Sequence, residues 1–217
     1  MTTYQKKLRA LLSPAERRIF QRLSTPAKIQ DFLDRFPINF ERPGEEGIFS
    51  PRVVLKKRRA QCMEAALLAA AALAYHGRRP LVLDFQTLPV DEDHVVAAFV
   101  EGGRWGAISK TNHAILRWRD PIYKSPRELC MSYAHEYFLW SGKKSLKAFS
   151  APIDLSAFNP ARWVSAQEEL GWLADWLDER RHFPAAPRNA IKHLRKASNI
   201  ERRAMAPHEW TKEGKRK

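Results

Sequence analysis

Arg59-Ala60-Gln61-Cys62-Met63-Glu64, followed without a break by Ala65-Ala66-Leu67-Leu68-Ala69-Ala70-Ala71-Ala72-Leu73-Ala74-Tyr75, decides how the rest of the chain is read. The run from Gln61 to about Tyr75 is alanine and leucine almost throughout. A helix that is apolar on every face is a buried helix, and its small side chains let other elements approach closely. Cys62, Ala66, Ala69 and Leu73 share one face by three-to-four spacing. Gly77, just after His76, is placed to cap the C-terminal end.

Downstream, Leu81-Val82-Leu83-Asp84-Phe85 reads as a buried strand. Pro89 to Asp93 is an acidic loop. His94-Val95-Val96-Ala97-Ala98-Phe99-Val100 is a second strand, and Glu101-Gly102-Gly103-Arg104 signals a hairpin, since both glycines tolerate positive φ. Trp105 to Ser109 returns as a third strand. In a tight hairpin the end of this strand faces the start of the one before it. His94 is therefore expected near some member of Ser109 to Asn112, with the register left open.

Upstream, Ser13-Pro14-Ala15-Glu16 is a helix start with a capping box, and Ser24-Thr25-Pro26 opens another helix whose apolar stripe is Ile29, Phe32, Leu33 and Phe36. Residues 39–51 read as an extended loop with a turn at Pro43-Gly44. Lys56-Lys57-Arg58-Arg59 is a basic run, either a solvated face or a positive field beside Cys62. Beyond the hairpin, Ser125-Pro126-Arg127-Glu128 caps a helix carrying Leu129, Met131, Tyr133, Tyr137 and Phe138. A further helix opens near Val164 and carries Leu170, Leu173, Ala174 and Leu177.

The division that follows is an N-terminal helical segment (1–50), a core (51–150), a C-terminal helical extension (151–187) and a basic tail (188–217) expected to be partly disordered. The tail holds 10 Lys or Arg against 3 Glu, half of the chain's formal net charge of +14. With 217 residues, 44% of them hydrophobic, the chain has material for a core. Its charge favours nucleic acid or another polyanion as a partner. No apolar run reaches the roughly 18 residues a membrane span needs, and the first residues lack the apolar core of a secretory signal, so a cytoplasmic location is expected. Cys62 and Cys130 form neither a disulfide framework nor a zinc pattern. No phosphate loop or paired-glycine dinucleotide motif is present.

Cys62 at a helix start has the layout of a thiol nucleophile. A cysteine thiol ordinarily titrates near 8.5, and a helix N-terminus with an adjacent imidazolium lowers that. The cysteine's own N–H, unpaired in the first turn, can donate to an oxyanion. His94 would be the base, and a third group should accept the imidazole's other N–H.

The order of these elements resembles the transglutaminase-like superfamily, whose core is papain-like. Gln61-Cys62-Met63-Glu64-Ala65 matches its cysteine element, Asp93-His94-Val95 its histidine element, and Trp105-Gly106-Ala107-Ile108-Ser109-Lys110-Thr111 its Trp-x-x-x-Asp-Pro-Thr element. The resemblance covers residues 59–112. It implies an α+β fold in which a buried helix with cysteine at its N-terminus packs on an antiparallel sheet, flanked by helices at both ends. It also implies a cysteine hydrolase or acyltransferase for an amide or peptide bond, requiring no metal or cofactor. Two positions depart from the family. Ala60 stands where glycine is common, and Ser109 stands where the family has aspartate, a serine hydroxyl bringing no negative charge to the imidazole. Ser109, Asn112 and Asp84 are candidates for the third residue, with Gln61 as a second oxyanion donor. Loss of activity, leaving a binding module that contacts nucleic acid or another polyanion through the basic segments, is the alternative.

Overall fold

The computed structural model describes residues 1–40, 44 and 47–217, apart from the side chain of Arg188. The first member of the turn expected at Pro43-Gly44 lies outside them. Four helices precede the cysteine: α1 (Thr3–Leu11), α2 (Pro14–Arg22), α3 (Pro26–Leu33) and α4 (Pro51–Lys57). Each opens on a Ser or Thr cap, and Ser13 and Glu16 close a reciprocal capping box on α2. The central helix α5 (Cys62–Tyr75) is buried from Met63 to Tyr75. It has no polar face because it has no solvent side. The sheet covers one flank, and α1, α3 and α4 cover the other.

The sheet is antiparallel throughout, in the order β4-β3-β2-β1-β5-β7, built from β1 (Leu81–Thr87), β2 (His94–Glu101), β3 (Arg104–Ile108), β4 (Arg119–Tyr123), β5 (Leu146–Ser150) and β7 (His182–Pro184). The short β6 (Ile153–Asp154) also pairs with β1. Side-chain alternation splits the sheet between two cores. Val82, Val95, Ala97, Phe99 and Ile108 face α5, together with Leu170, Leu173 and Leu177 around α7 (Gly171–Asp178). Leu81, Leu83, Phe85, Val96, Ala98 and Ala107 face α6 (Pro126–Tyr133) on the other side. The architecture is therefore mixed helix and antiparallel sheet.

The β2–β3 hairpin turns at Gly102 and Gly103, at φ 56° and 73°. Gly106 in β3 is required by space: a Cβ there would lie 2.5 Å from the Phe99 ring and 2.8 Å from the Arg119 carbonyl. Phe99 in turn stacks on Trp118, 5.2 Å between centroids.

Several expectations are revised in detail. The basic run at Lys56-Lys57 ends a helix. The helix expected to carry Tyr137 and Phe138 stops at Tyr133, so both lie in the loop beyond it. The helix expected from Val164 begins at Gly171. In the tail, α8 (Arg188–Ile191) and α9 (Asn199–Met205) form, and Trp210 is buried. Glu209 there pairs with both Arg117 and Arg216 at 2.8 and 2.6 Å. Among the described residues no helix is long and apolar enough to cross a membrane.

Candidate functional site

The site is assembled at one end of the sheet, where α5 begins, β2 begins and β3 ends. Glu64 builds the approach to Cys62. Its side chain is fully buried and accepts hydrogen bonds from the Gln61 N–H (2.8 Å), the Phe49 N–H (2.9 Å) and the Asn39 amide (2.9 and 3.2 Å). Arg59 Nε in turn donates to the Asn39 carbonyl oxygen at 2.7 Å. A carboxylate three residues into a helix satisfies first-turn donors and favours the positive end of the helix dipole. Burial nonetheless pushes Glu64 up to about 7.

Cys62 is half-buried at the first position of α5. Its sulfur faces the backbone N–H of Val95, the residue after His94, and that of Met63. Both contacts favour a thiolate, but burial outweighs them, and the thiol is pushed up to about 11. The thiol depression expected at a helix N-terminus is thus reversed, because loss of water around the sulfur costs the anion more than the amides return.

His94 opens β2 and is 6% exposed. Its Nε2 lies 2.9 Å from Ser109 Oγ. The Ser109 hydroxyl in turn donates to the Leu116 carbonyl. A carbonyl can only accept, so the one hydroxyl proton of Ser109 is committed there, and Ser109 Oγ must accept from His94 Nε2–H. The chain of donors therefore fixes the tautomer, leaving Nδ1 as the basic nitrogen of the neutral ring. Burial holds the imidazole down to about 4. At neutral pH the Cys62 thiol and the His94 imidazole are each neutral. No hydrogen bond joins Cys62 to His94 among the described residues.

Ser109 is itself clamped. Its N–H donates to Gln30 Oε1 at 2.9 Å, and its carbonyl accepts from Gln30 Nε2 at 2.8 Å, so one side chain on α3 grips both backbone groups. Lys110 follows, buried, with Nζ donating to the Leu33 and Phe36 carbonyls at 2.9 and 2.6 Å. Burial draws its ammonium down to about 8. Leu116 adopts φ 60°, a left-handed conformation that a leucine avoids. It is held there by its N–H donating to Glu136 Oε2 at 2.6 Å, with Glu136 paired to Arg119 at 2.6 Å.

The other sequence candidates are engaged elsewhere. Asn112 pairs its amide with the Trp210 backbone, donating to the carbonyl at 3.0 Å and accepting from the N–H at 2.8 Å. Asp84 lies 3.0 Å from His182 Nε2, both side chains almost fully buried, while His182 Nδ1 is 2.8 Å from the Arg180 carbonyl. With an acceptor at each ring nitrogen, the Asp84–His182 pair holds a proton between its two members beyond the one given to Arg180. Gln61 contributes its backbone N–H to Glu64 at the start of α5. Glu64, Gln30 and the Leu116 carbonyl were not singled out from sequence. A glutamate three residues past a cap position was the available signal for the first. Nothing in the residue types signals the other two.

No family model matches the chain. No curated protein matches it either. Among solved structures, Legionella pneumophila LapG is similar at 14% identity over 49% of this chain and 70% of that one, with a TM-score of 0.34. The EGTA-treated form of LapG gives the same identity and TM-score over 49% of this chain and 68% of that one. This is a weak likeness at the level of the fold, and the chemistry of the site is read from its own residues.

Proposed function

We propose that the chain is a cysteine-dependent hydrolase or acyltransferase acting on an amide or peptide bond, with Cys62 as nucleophile and His94 as its base. The observation that carries this is the chain His94 Nε2–H to Ser109 Oγ–H to the Leu116 carbonyl. It does for the imidazole what the third member of a triad does, holding tautomer and orientation without a formal charge. Nδ1 takes the Cys62 proton as sulfur bonds to the carbonyl carbon. The same proton goes to the leaving amine as the C–N bond breaks, and water or an amine resolves the thioester. With no aspartate to stabilise an imidazolium, the base acts from a neutral resting pair.

The test is acylation by p-nitrophenyl acetate, followed as p-nitrophenolate release, with the acylated residue located by peptide mass. Because His94 is held near 4, it stays unprotonated and able to accept a proton across the neutral range. The acylation rate should therefore be flat from about pH 5 to about pH 8. A rate that climbs tenfold per pH unit across that range, or one no faster at Cys62 than at the buried Cys130, rules the reading out.

A second reading has its own observation. Trp140, 57% exposed, lines a surface concavity with Asn199, Arg202, Arg203 and Ala206. An exposed indole among arginines is the arrangement on which single-stranded nucleic acid stacks. Binding of a fluorescent oligothymidylate should weaken steeply between 50 and 200 mM salt, both roughly chosen to span physiological strength. Trp140→Ala should cost about tenfold in affinity. Salt-insensitive binding, or none at low salt, removes this reading.

A further inference from the structure

The segment from Ile191 to Met205 faces two ways. Inward, Ala197 and Met205 are buried against Phe138, and the Ala197 N–H donates to the Gly142 carbonyl at 2.8 Å. Outward, Ile191, Leu194 and Ile200 are exposed, Ile200 at 66%. Arg195 and Glu201 pair at 3.8 Å, which draws Leu194 and Ile200 into one neighbourhood. Trp140 joins them, since Arg202 donates to its carbonyl at 2.9 Å and its side chain lines the same concavity as Asn199 and Arg203. Among the described residues eight large apolar side chains are exposed, and these four are half of them, gathered in one region. A lone exposed apolar residue is ordinary, but a group of them marks a surface that meets something.

The charge around the group narrows what it meets. Residues 191–203 carry five Lys or Arg against the single acid Glu201. That acid is already occupied, accepting from the Ser198 N–H at 2.6 Å and pairing with Arg195. Lys143, exposed, adds another cation in the adjoining loop. The complement is a surface that is negative outside and apolar just beneath.

We propose that this face lies against an anionic lipid surface, with Ile191, Leu194, Ile200 and Trp140 entering the acyl boundary and the Lys and Arg side chains reaching the headgroup phosphates. This goes beyond both readings above and does not depend on the Cys62–His94 chemistry. Stacking on bases would use Trp140 and leave three aliphatic side chains in water. At a lipid interface all four are used: the indole sits at headgroup level, the aliphatic groups lie below it, and the basic side chains extend back to the phosphates. No helix among the described residues is long and apolar enough to cross a membrane, so the attachment described is peripheral and reversible.

The full chain and unilamellar vesicles test this. The probes are vesicles of phosphatidylcholine alone and of phosphatidylcholine with about 30% phosphatidylglycerol, which carry the negative surface potential that basic clusters sense. Binding by co-sedimentation should be at least about tenfold tighter on the anionic vesicles. Acyl chains brominated near the headgroup should quench Trp140, and Trp140→Phe should remove that quenching. Leu194→Ser combined with Ile200→Ser, at two exposed positions, should weaken binding about tenfold or more. Lys192→Glu combined with Arg195→Glu should remove the preference for anionic vesicles. Equal affinity for the two vesicle types, or no binding at low salt, overturns the proposal. Binding that bromine does not quench, or that the serine pair leaves unchanged, is charge attraction alone and overturns it as well. Tight binding of oligothymidylate without vesicle binding overturns it too, and assigns the patch to nucleic acid.

Discussion

Acylation of Cys62 is expected to fall by about 10²–10⁴-fold on His94→Ala, the range that a positioned general base contributes. The size of the effect follows from the thiol's surroundings. Burial pushes the Cys62 thiol up to about 11, so almost none of it is ionised at neutral pH without a base to take the proton in the transition state. The pH profile should change shape as well as height. With His94 present, the rate is carried by the neutral imidazole and is flat through neutrality. Without it, the rate must follow the thiolate fraction and climb with pH toward about 11. Stopped-flow release of p-nitrophenolate from about pH 5 to about pH 10 measures both. Equal rates and parallel profiles for the two proteins would remove His94 from the reaction.

The largest expected effect on stability is at Glu64. Glu64→Leu keeps side-chain volume but removes the acceptor for the Gln61 N–H, the Phe49 N–H and the Asn39 amide, all at 2.8–3.2 Å. Buried donors left without a partner cost about 1–3 kcal/mol each, and partial relaxation brings the sum to about 3–5 kcal/mol. Urea unfolding at a fixed slope gives this directly. The pH dependence carries a second check. Glu64 is raised to about 7 in the folded protein from 4.5, so the folded state binds its proton more tightly than the unfolded chain does. Its contribution is fully present below 4.5 and is lost as pH rises to about 7. The gap between the unaltered protein and Glu64→Leu should therefore narrow across that window. A gap that widens there would mean that the four hydrogen bonds outweigh desolvation and hold the carboxylate ionised.

How much of this was legible in the sequence depends on what kind of group does the work. The central helix was plain because fourteen residues without a polar face have one place to go, and Gly102-Gly103 gave the hairpin its turn. From those two followed the neighbourhood of His94 and the last residues of β3, and Ser109 was the member of that set that the ladder brings to the ring. Asn112 was a sound chemical candidate drawn off by a partner 98 residues away, the Trp210 backbone. The Asp84–His182 pairing spans the same separation. Side-chain patterns report local faces, and neither contact is local. The strands β4, β5, β6 and β7 were missed because each is five residues or fewer, too short for side-chain alternation to show.

The left-handed turn at Leu116 has a genetic consequence. The atom that ends the hydrogen-bond chain from His94 is a main-chain oxygen, and every amino acid carries one. Substituting the leucine exchanges a side chain that takes no part while leaving the acceptor in place. A codon-by-codon scan of residues 110–140 would thus pass over the main-chain acceptor that ends the chain from the imidazole. It would register instead the side chains that bend the backbone there, Glu136 and Arg119, which lie apart from the ring they serve. In relatives diverging under selection, the trace of this site would be an ion pair and a serine.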